Sequence, residues 1–245
     1  MKPELAIIGY GRFGRCAGHY LKKWFRIVIA DIANINQLEH GIHQCTIEEA
    51  SQKKILILAV PINQLPSLLK RIAPLLRPRT LICDVCSVKE QPVQWMKKLL
   101  PKSVYVLGMH PLFGPDSSSK SFRGRNLILC PVRISPPYLR KIHTALTQHD
   151  LSVSVMSPDE HDRLMARTLF LTQYIGRGLA RFPIPRRIRT TENFQLLATV
   201  IQTACNDTSE LFHDMYRYNR FAKVVPHQVL RDFKKIMVSL PGKNR

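Results

Sequence analysis

A chain of 245 residues, 45% of them hydrophobic, is long enough for one large domain or two modest ones and builds a core without staples. Its 37 Lys+Arg against 17 Asp+Glu leave a formal charge of +20, which favours anionic partners; with no helix-turn-helix, zinc-finger or aromatic RNA-binding pattern beside it, acidic small molecules are expected and nucleic acid is not. The longest apolar run, 55–62, is broken by Pro61 and far short of the roughly 20 residues that span a bilayer, while six scattered cysteines and no charged-then-apolar leader predict a reduced, cytoplasmic protein.

In chain order, short apolar runs alternate with amphipathic segments, as successive strand–helix units do. Strands are predicted at 5–8, 27–30, 55–60, 81–85, 104–107, 127–130 and 153–156, and helices at 14–23, 64–76, 88–99 and 137–149. From Ser157 the strand-like runs stop. Ser157, with Pro158 at the first helical position and Glu160 at the third, reads as a capping box opening a helix over 159–181, and a further amphipathic stretch covers 192–238. The expectation is an α/β chain: a doubly wound parallel sheet over 1–152, then an all-helical domain over 153–245 whose apolar stripes pair with a second copy in a homodimer.

Gly9-Tyr10-Gly11-Arg12-Phe13-Gly14 follows the first strand and opens the first helix, the context that makes GxGxxG a Rossmann-type dinucleotide fingerprint. Gly9 permits the turn, Gly11 lets backbone approach a diphosphate, Gly14 lets helix pack on strand, and the diphosphate sits at the helix N-terminus. Asp31, closing the second strand, suits the ribose hydroxyls and repels a 2′-phosphate, so NAD is expected over NADP; Ala59, Val60 and Pro61 leave the sheet at the same edge and line the cleft. The plain readings are a glycine turn of an unrelated α/β protein, a strand-end turn at Asp31 and an ordinary strand exit at Ala59-Val60-Pro61.

Two further strand ends carry polar groups: Cys86-Ser87-Val88-Lys89, and Gly108-Met109-His110 followed by Pro111-Leu112-Phe113-Gly114-Pro115. The carboxyl ends of strands in an open α/β sheet face the ligand crevice, which brings Ser87 and His110 to the cofactor. A neutral imidazole, with an ordinary pKa of about 6.5, is a competent proton acceptor. The alternatives are a structural histidine at His110, a solvated Lys89, and a capping role for His161 and Asp162 at the start of their helix. Cys83 and Cys86 have CxxC spacing but no second ligand pair, so no metal site is expected.

With the glycine fingerprint, the segments Asp84-Val85-Cys86-Ser87-Val88-Lys89, His110 to Pro115 and Glu160-His161-Asp162-Arg163 resemble the prephenate/arogenate dehydrogenases, most nearly the plant-like arogenate branch. The resemblance implies a tyrosine-biosynthetic enzyme in which His110 takes the substrate's hydroxyl proton as hydride passes to NAD, with Ser87 bonded to the histidine or the hydroxyl and Lys89 holding the loop. It implies that L-arogenate is used in preference to prephenate, with Asp162, or after it Glu160, as the acid facing the ammonium. The chain departs from the prephenate-type pattern at Leu169-Phe170-Leu171-Thr172-Gln173, where Gln173 stands at the position of a histidine, and the substrate-carboxylate arginine has no clear match, the stretch 188–197 aligning ambiguously with Arg189 only a candidate. The competing readings are a β-hydroxyacid or imine-reducing dehydrogenase, which leaves His110 unexplained, and a non-catalytic NAD-binding protein, which needs neither Ser87 nor His110.

Overall fold

The computed structural model describes residues 2–33, 35, 37–114, 122–182 and 190–241. Pro115 and the candidate Arg189 lie outside the described residues. In the first half the apolar runs become strands, the central ones buried on both faces, as in a sheet covered by helices, and the two edge strands largely exposed. They are β1 (Glu4–Ile8), β2 (Arg26–Ala30), β3 (Ile42–Gln44), β4 (Ile55–Leu58), β5 (Leu81–Asp84), β6 (Tyr105–Pro111), β7 (Asn126–Arg133) and β8 (Ser152–Val155). The helices of this half are α1 (Arg12–Leu21), α2 (Ile47–Ser51), α3 (Leu65–Ile72), α4 (Glu90–Leu99) and α5 (Pro136–Gln148).

The strands form one sheet in the order β3-β2-β1-β4-β5-β6-β7-β8. β1 to β6 are parallel to their neighbours, but β7 pairs antiparallel with β6, and β8 lies parallel to β7. The sheet is therefore mostly rather than wholly parallel; an apolar run buried on both faces reads the same in either direction. β6 also runs beyond the expected 104–107, because pairs such as Gly108↔Cys130 and His110↔Ile128 hold its last residues in the ladder. His110 thus sits on a strand and not in a loop.

β3 and α2 are absent from the sequence-based expectation. β3 is three residues long and buries only Ile42, too little to show a period. α2 carries a legible signal: Thr46 Oγ1 accepts from Glu49 N at 3.1 Å while Glu49 Oε2 accepts from Thr46 N at 2.8 Å, a complete capping box.

The chain forms two units, Met1–His161 and Asp162–Arg245. The sequence reading divided it after 152; β8 pairs with β7 in the first unit, and α6 (Pro158–Met165) carries the chain across the division. The predicted cap of α6 is present, with Glu160 accepting from Ser157 N at 2.8 Å and from Ser157 Oγ at 2.7 Å.

The second unit is helical. A π-helical stretch, Ala166–Phe170, joins α6 to α7 (Leu171–Leu179), and the expected 192–238 run is divided into α8 (Glu192–Asn206), α9 (Ser209–Tyr218) and α10 (Val225–Ser239). Local caps make the breaks: Thr208 Oγ1 accepts from Leu211 N at 3.1 Å, and Asn219 Oδ1 accepts from Phe221 N at 2.9 Å. Phe170 stacks on Phe212 with ring centroids 5.4 Å apart and 6° between planes. α7 and α8 approach closely at Gly176, where a Cβ would lie 2.6 Å from Ala204 Cβ and 3.1 Å from Val200 O, whereas a Cβ on exposed Gly178 meets nothing within 4 Å.

The two glycines of α7 therefore give opposite expectations. Gly176→Ala forces the helices apart and lowers unfolding free energy by about 1–3 kcal/mol, while Gly178→Ala raises it by up to about 1 kcal/mol through helix propensity. Urea denaturation of both variants checks this, and equal effects would mean that the α7–α8 approach is not tight.

Candidate functional site

The strand order reverses between β1 and β4, opening a crevice at their carboxyl ends. There a cleft of about 630 Å³ is lined by Gly9, Gly11, Asp31, Ala59, Val60 and Pro61, among others. Gly9 has φ +104°, and a Cβ on it would lie 2.4 Å from Ala59 O; a Cβ on Gly14 would lie 2.0 Å from Gly9 O. Both glycines are required by backbone contact. Gly11 differs, since a Cβ there meets nothing within 4 Å, so its bareness keeps the cleft open beside the start of α1. That helix start has no side-chain cap and no acidic residue in its first turn, so the positive end of its dipole suits an anion.

Asp31 is aimed by two backbone donors, Tyr10 N to Oδ2 at 2.5 Å and Ala33 N to Oδ1 at 2.9 Å. A carboxylate so held at the cleft suits a diol and opposes a phosphate. Of the remaining fingerprint residues, Tyr10 is buried and lies under the Arg15 guanidinium at 4.6 Å, Phe13 packs against the core, and Arg12 is exposed at the first position of α1. Sequence reasoning missed Gln64, Ser67 and Arg71 on the cleft wall. They follow β4 at its carboxyl end, which is the signal that could have found them.

On the neighbouring strands β5 and β6, Asp84 pairs with Gly108 in register. Asp84 Oδ2 takes the Lys89 ammonium in an ion pair with neither side chain exposed, and also accepts from Cys86 N at 3.1 Å. Lys89 is thus not a solvated side chain. It is packed so that a Cβ on Gly108 would come within 3.2 Å of Lys89 Cδ. Burial pushes the Asp84 carboxyl up and the Lys89 cation opposes it. The loop tied down in this way carries Ser87, whose buried Oγ has no hydrogen-bond partner among the described residues.

His110, 6% exposed near the end of β6, has Nδ1 2.8 Å from Nε2 of the fully buried His161. Burial first, then His161, then the Lys89 cation hold His110 well below the usual histidine range. Burial and Lys89 take His161 down to about 3. Both rings are neutral near pH 7, so His110 is a base with an empty site for a proton.

The other candidates are engaged within the second unit or by local caps. Gln173 Nε2 donates to Asp207 Oδ2 at 2.7 Å and its Oε1 accepts from Arg177 Nε at 3.1 Å. Asp162 is fully buried, and its carbonyl accepts from Asn219 Nδ2 at 2.8 Å. Glu160 is occupied by the Ser157 cap, which lowers its pKa. Among the described residues no three His, Cys, Asp or Glu side chains gather to hold a metal ion, and burial pushes the Cys83 thiol up, away from the thiolate a metal requires.

Residues 18–154 match the family model for the prephenate dehydrogenase nucleotide-binding domain, and residues 179–245 match a TYRAAT1-like C-terminal domain. The chain is 28% identical over 229 residues to arogenate dehydrogenase 2, chloroplastic, of Arabidopsis thaliana, covering 88% of this chain and 64% of that protein. It is 27% identical over 253 residues to the probable arogenate/prephenate dehydrogenase of Methanocaldococcus jannaschii, covering 97% and 56%. It therefore spans less than two thirds of the length of these relatives. The crystal structure of Aquifex aeolicus prephenate dehydrogenase, in complex with hydroxyphenyl propionate and NAD⁺, has the same fold: TM-score 0.73 at 18% identity, covering 98% of this chain and 90% of that one.

Removing the cation at β5 tests how the strand ends are held. Lys89→Met leaves a buried carboxylate unpaired and costs about 3–5 kcal/mol, and adding Asp84→Leu recovers most of that loss because no charge then remains in the core. Urea denaturation reads both; a single-variant cost under about 1 kcal/mol would remove the ion pair from the structural account.

Proposed function

The chain belongs to the prephenate dehydrogenase family, and on that footing we propose that it is an NAD-dependent dehydrogenase that oxidises and decarboxylates a cyclohexadienyl acid in tyrosine biosynthesis. The observation that carries this is His110: a buried histidine, held neutral, near the carboxyl end of a strand in a nucleotide-binding unit. The glycine turn, the uncapped start of α1 and Asp31 fit the diphosphate and the adenosine ribose of NAD. When bound, NAD supplies the hydride acceptor.

The work of the protein is then proton transfer and positioning. His110 accepts the proton of the ring hydroxyl as its carbon is oxidised. Ser87, whose Oγ has no hydrogen-bond partner among the described residues, donates to the hydroxyl oxygen and keeps it in line. The carbonyl so formed draws the electron pair of the ring–carboxylate bond as carbon dioxide leaves. The aromatic ring and a phenol oxygen result, and that oxygen takes a proton back from His110.

L-arogenate is the proposed substrate in preference to prephenate. Supporting this are the arogenate activity in the names of both relatives, and Asp162, a buried acid one residue beyond His161 on α6, as the partner of an ammonium. Lys89 and Gln173 act on the substrate, in this reading, through the loop and the amide network that they hold. Among the described residues no helix is long and apolar enough to cross a membrane, and all six cysteines are free. These features suit a reducing compartment such as the cytoplasm, although the Arabidopsis relative is named as chloroplastic.

The second unit is proposed to pair with a second copy. Exposed Leu196 on α8 and Leu230, Phe233, Ile236 and Met237 on α10, each at least 52% exposed, leave an apolar surface uncovered. Light scattering at micromolar concentration is expected to give a homodimer, and Phe233→Asp with Met237→Asp to give a monomer; a monomeric wild type overturns the pairing.

The activity is tested by following NADH with each cyclohexadienyl acid. Wild type is expected to reduce NAD faster than NADP and to show a higher kcat/KM for L-arogenate than for prephenate. His110→Asn is expected to lose on the order of 10² to 10⁴ in kcat with NAD affinity retained. Turnover near normal in His110→Asn would remove that residue from the mechanism, and absence of NADH with either acid would overturn the function.

A further inference from the structure

Within the first unit one contact at the site has no part in the chemistry described above, the 2.8 Å approach of His110 Nδ1 to His161 Nε2. Two neutral imidazoles can share such a contact in only two ways. Either His110 carries its proton on Nδ1 and donates it, leaving Nε2 as a lone pair, or His161 donates from Nε2 and leaves His110 protonated on Nε2. Only the first arrangement gives His110 a basic nitrogen free to take a substrate proton, because in the second its only lone pair is consumed by His161.

We propose that His161 is a positioning residue that accepts the Nδ1 proton of His110 and so fixes the tautomer in which Nε2 is the base. This rests on the function proposed for His110. The contact is built from distant parts of the chain, β6 and the second turn of α6, and the two rings meet edge to face with centroids 5.0 Å apart and 63° between planes. His161 is placed by the helix that Ser157 and Glu160 cap, so the capping box aims the acceptor. When His110 takes a proton at Nε2, its Nδ1–H remains donated to His161, and the new cation forms without rearrangement.

The partner's chemistry also sets the working range. A carboxylate in this position stabilises the imidazolium and raises its pKa, whereas a neutral ring does so far less. Among the described residues of the first unit, the groups that act on His110 are His161 and the Lys89 cation, the latter paired with Asp84, and neither favours a positive charge on His110. The base therefore stays unprotonated well below neutral pH.

Two measurements decide the proposal. The first needs no substrate: ¹⁵N NMR of the ring nitrogens in the wild-type protein is expected to show His110 protonated on Nδ1 and bare on Nε2, and protonation on Nε2 overturns the proposal. The second compares variants in the NADH assay. His161→Leu, which cannot accept, is expected to lose on the order of 10² in kcat with KM little changed, and His161→Gln, whose amide oxygen can accept, to recover at least tenfold of that. His161→Asp is expected to move the acid limb of the kcat/KM profile up by more than one pH unit, since a base with a raised pKa is protonated sooner as pH falls. Equal losses in the Leu and Gln variants, or an acid limb unmoved in the Asp variant, would reduce His161 to packing. If wild type forms no NADH with either acid, the proposed function fails, and the NMR tautomer alone then decides the role of His161.

Discussion

The ion pair between Lys89 and Asp84 is the interaction on which the geometry of the candidate site depends. Two full charges with no exposed surface cost several kcal/mol each to dehydrate, and their contact, with the Cys86 N–H on the same carboxylate oxygen, helps offset that cost. The pair is retained in a sheet that could have been filled with aliphatic residues. It anchors the turn after β5 that bears Ser87 and packs its stem against Gly108 of β6, two residues before His110. Its cation also helps keep both His110 and His161 uncharged. One contact thus joins the geometry of two strand ends to the protonation state of the base.

Much of the nucleotide-binding half was legible because its requirements are local. The Gly9 turn and the close packing of Gly14 on Gly9 O depend on residues within one strand–turn–helix unit, and Asp31 follows one strand later at a position set by sheet geometry. The family model begins at residue 18, beyond that fingerprint, so the glycine turn and the family match are separate observations that agree. What was not legible depends on partners distant in sequence. β6 looks finished at Leu107 because Gly108 and Pro111 punctuate it, yet β7 supplies the ladder that keeps it extended. Lys89 reads either as solvated or as holding its loop, and its pairing with Asp84 emerges only when the fold closes over both. His161 has a sufficient local explanation beside a capping box, and its actual neighbour lies 51 residues earlier.

The same distinction explains the helical half. Apolar periodicity marked its helices but not their breaks, because Thr208 and Asn219 end and restart the chain through single side-chain bonds to backbone that leave the hydrophobic pattern undisturbed. The π-helical stretch Ala166–Phe170 is invisible to a period search for another reason: one inserted residue shifts the phase between α6 and α7 without changing composition. Within the second unit Gly176, a turn and a half into α7, keeps its close contact with α8 beyond that stretch.

The charge of +20 and the proposed preference for arogenate pull in opposite directions, and distance decides between them. Prephenate carries one more net negative charge than arogenate, so a uniformly basic surface draws it in more strongly. That attraction acts during encounter and raises association rates, but at cellular salt it is screened beyond about 8–10 Å. Discrimination between bound ligands belongs to groups in contact with them, in a medium where each charge counts for more. A single buried carboxylate beside an ammonium can therefore outweigh many surface cations at the binding step. On the proposed function, the surface charge would set how fast an acidic substrate arrives, while its identity would be read by a buried charge in contact with it.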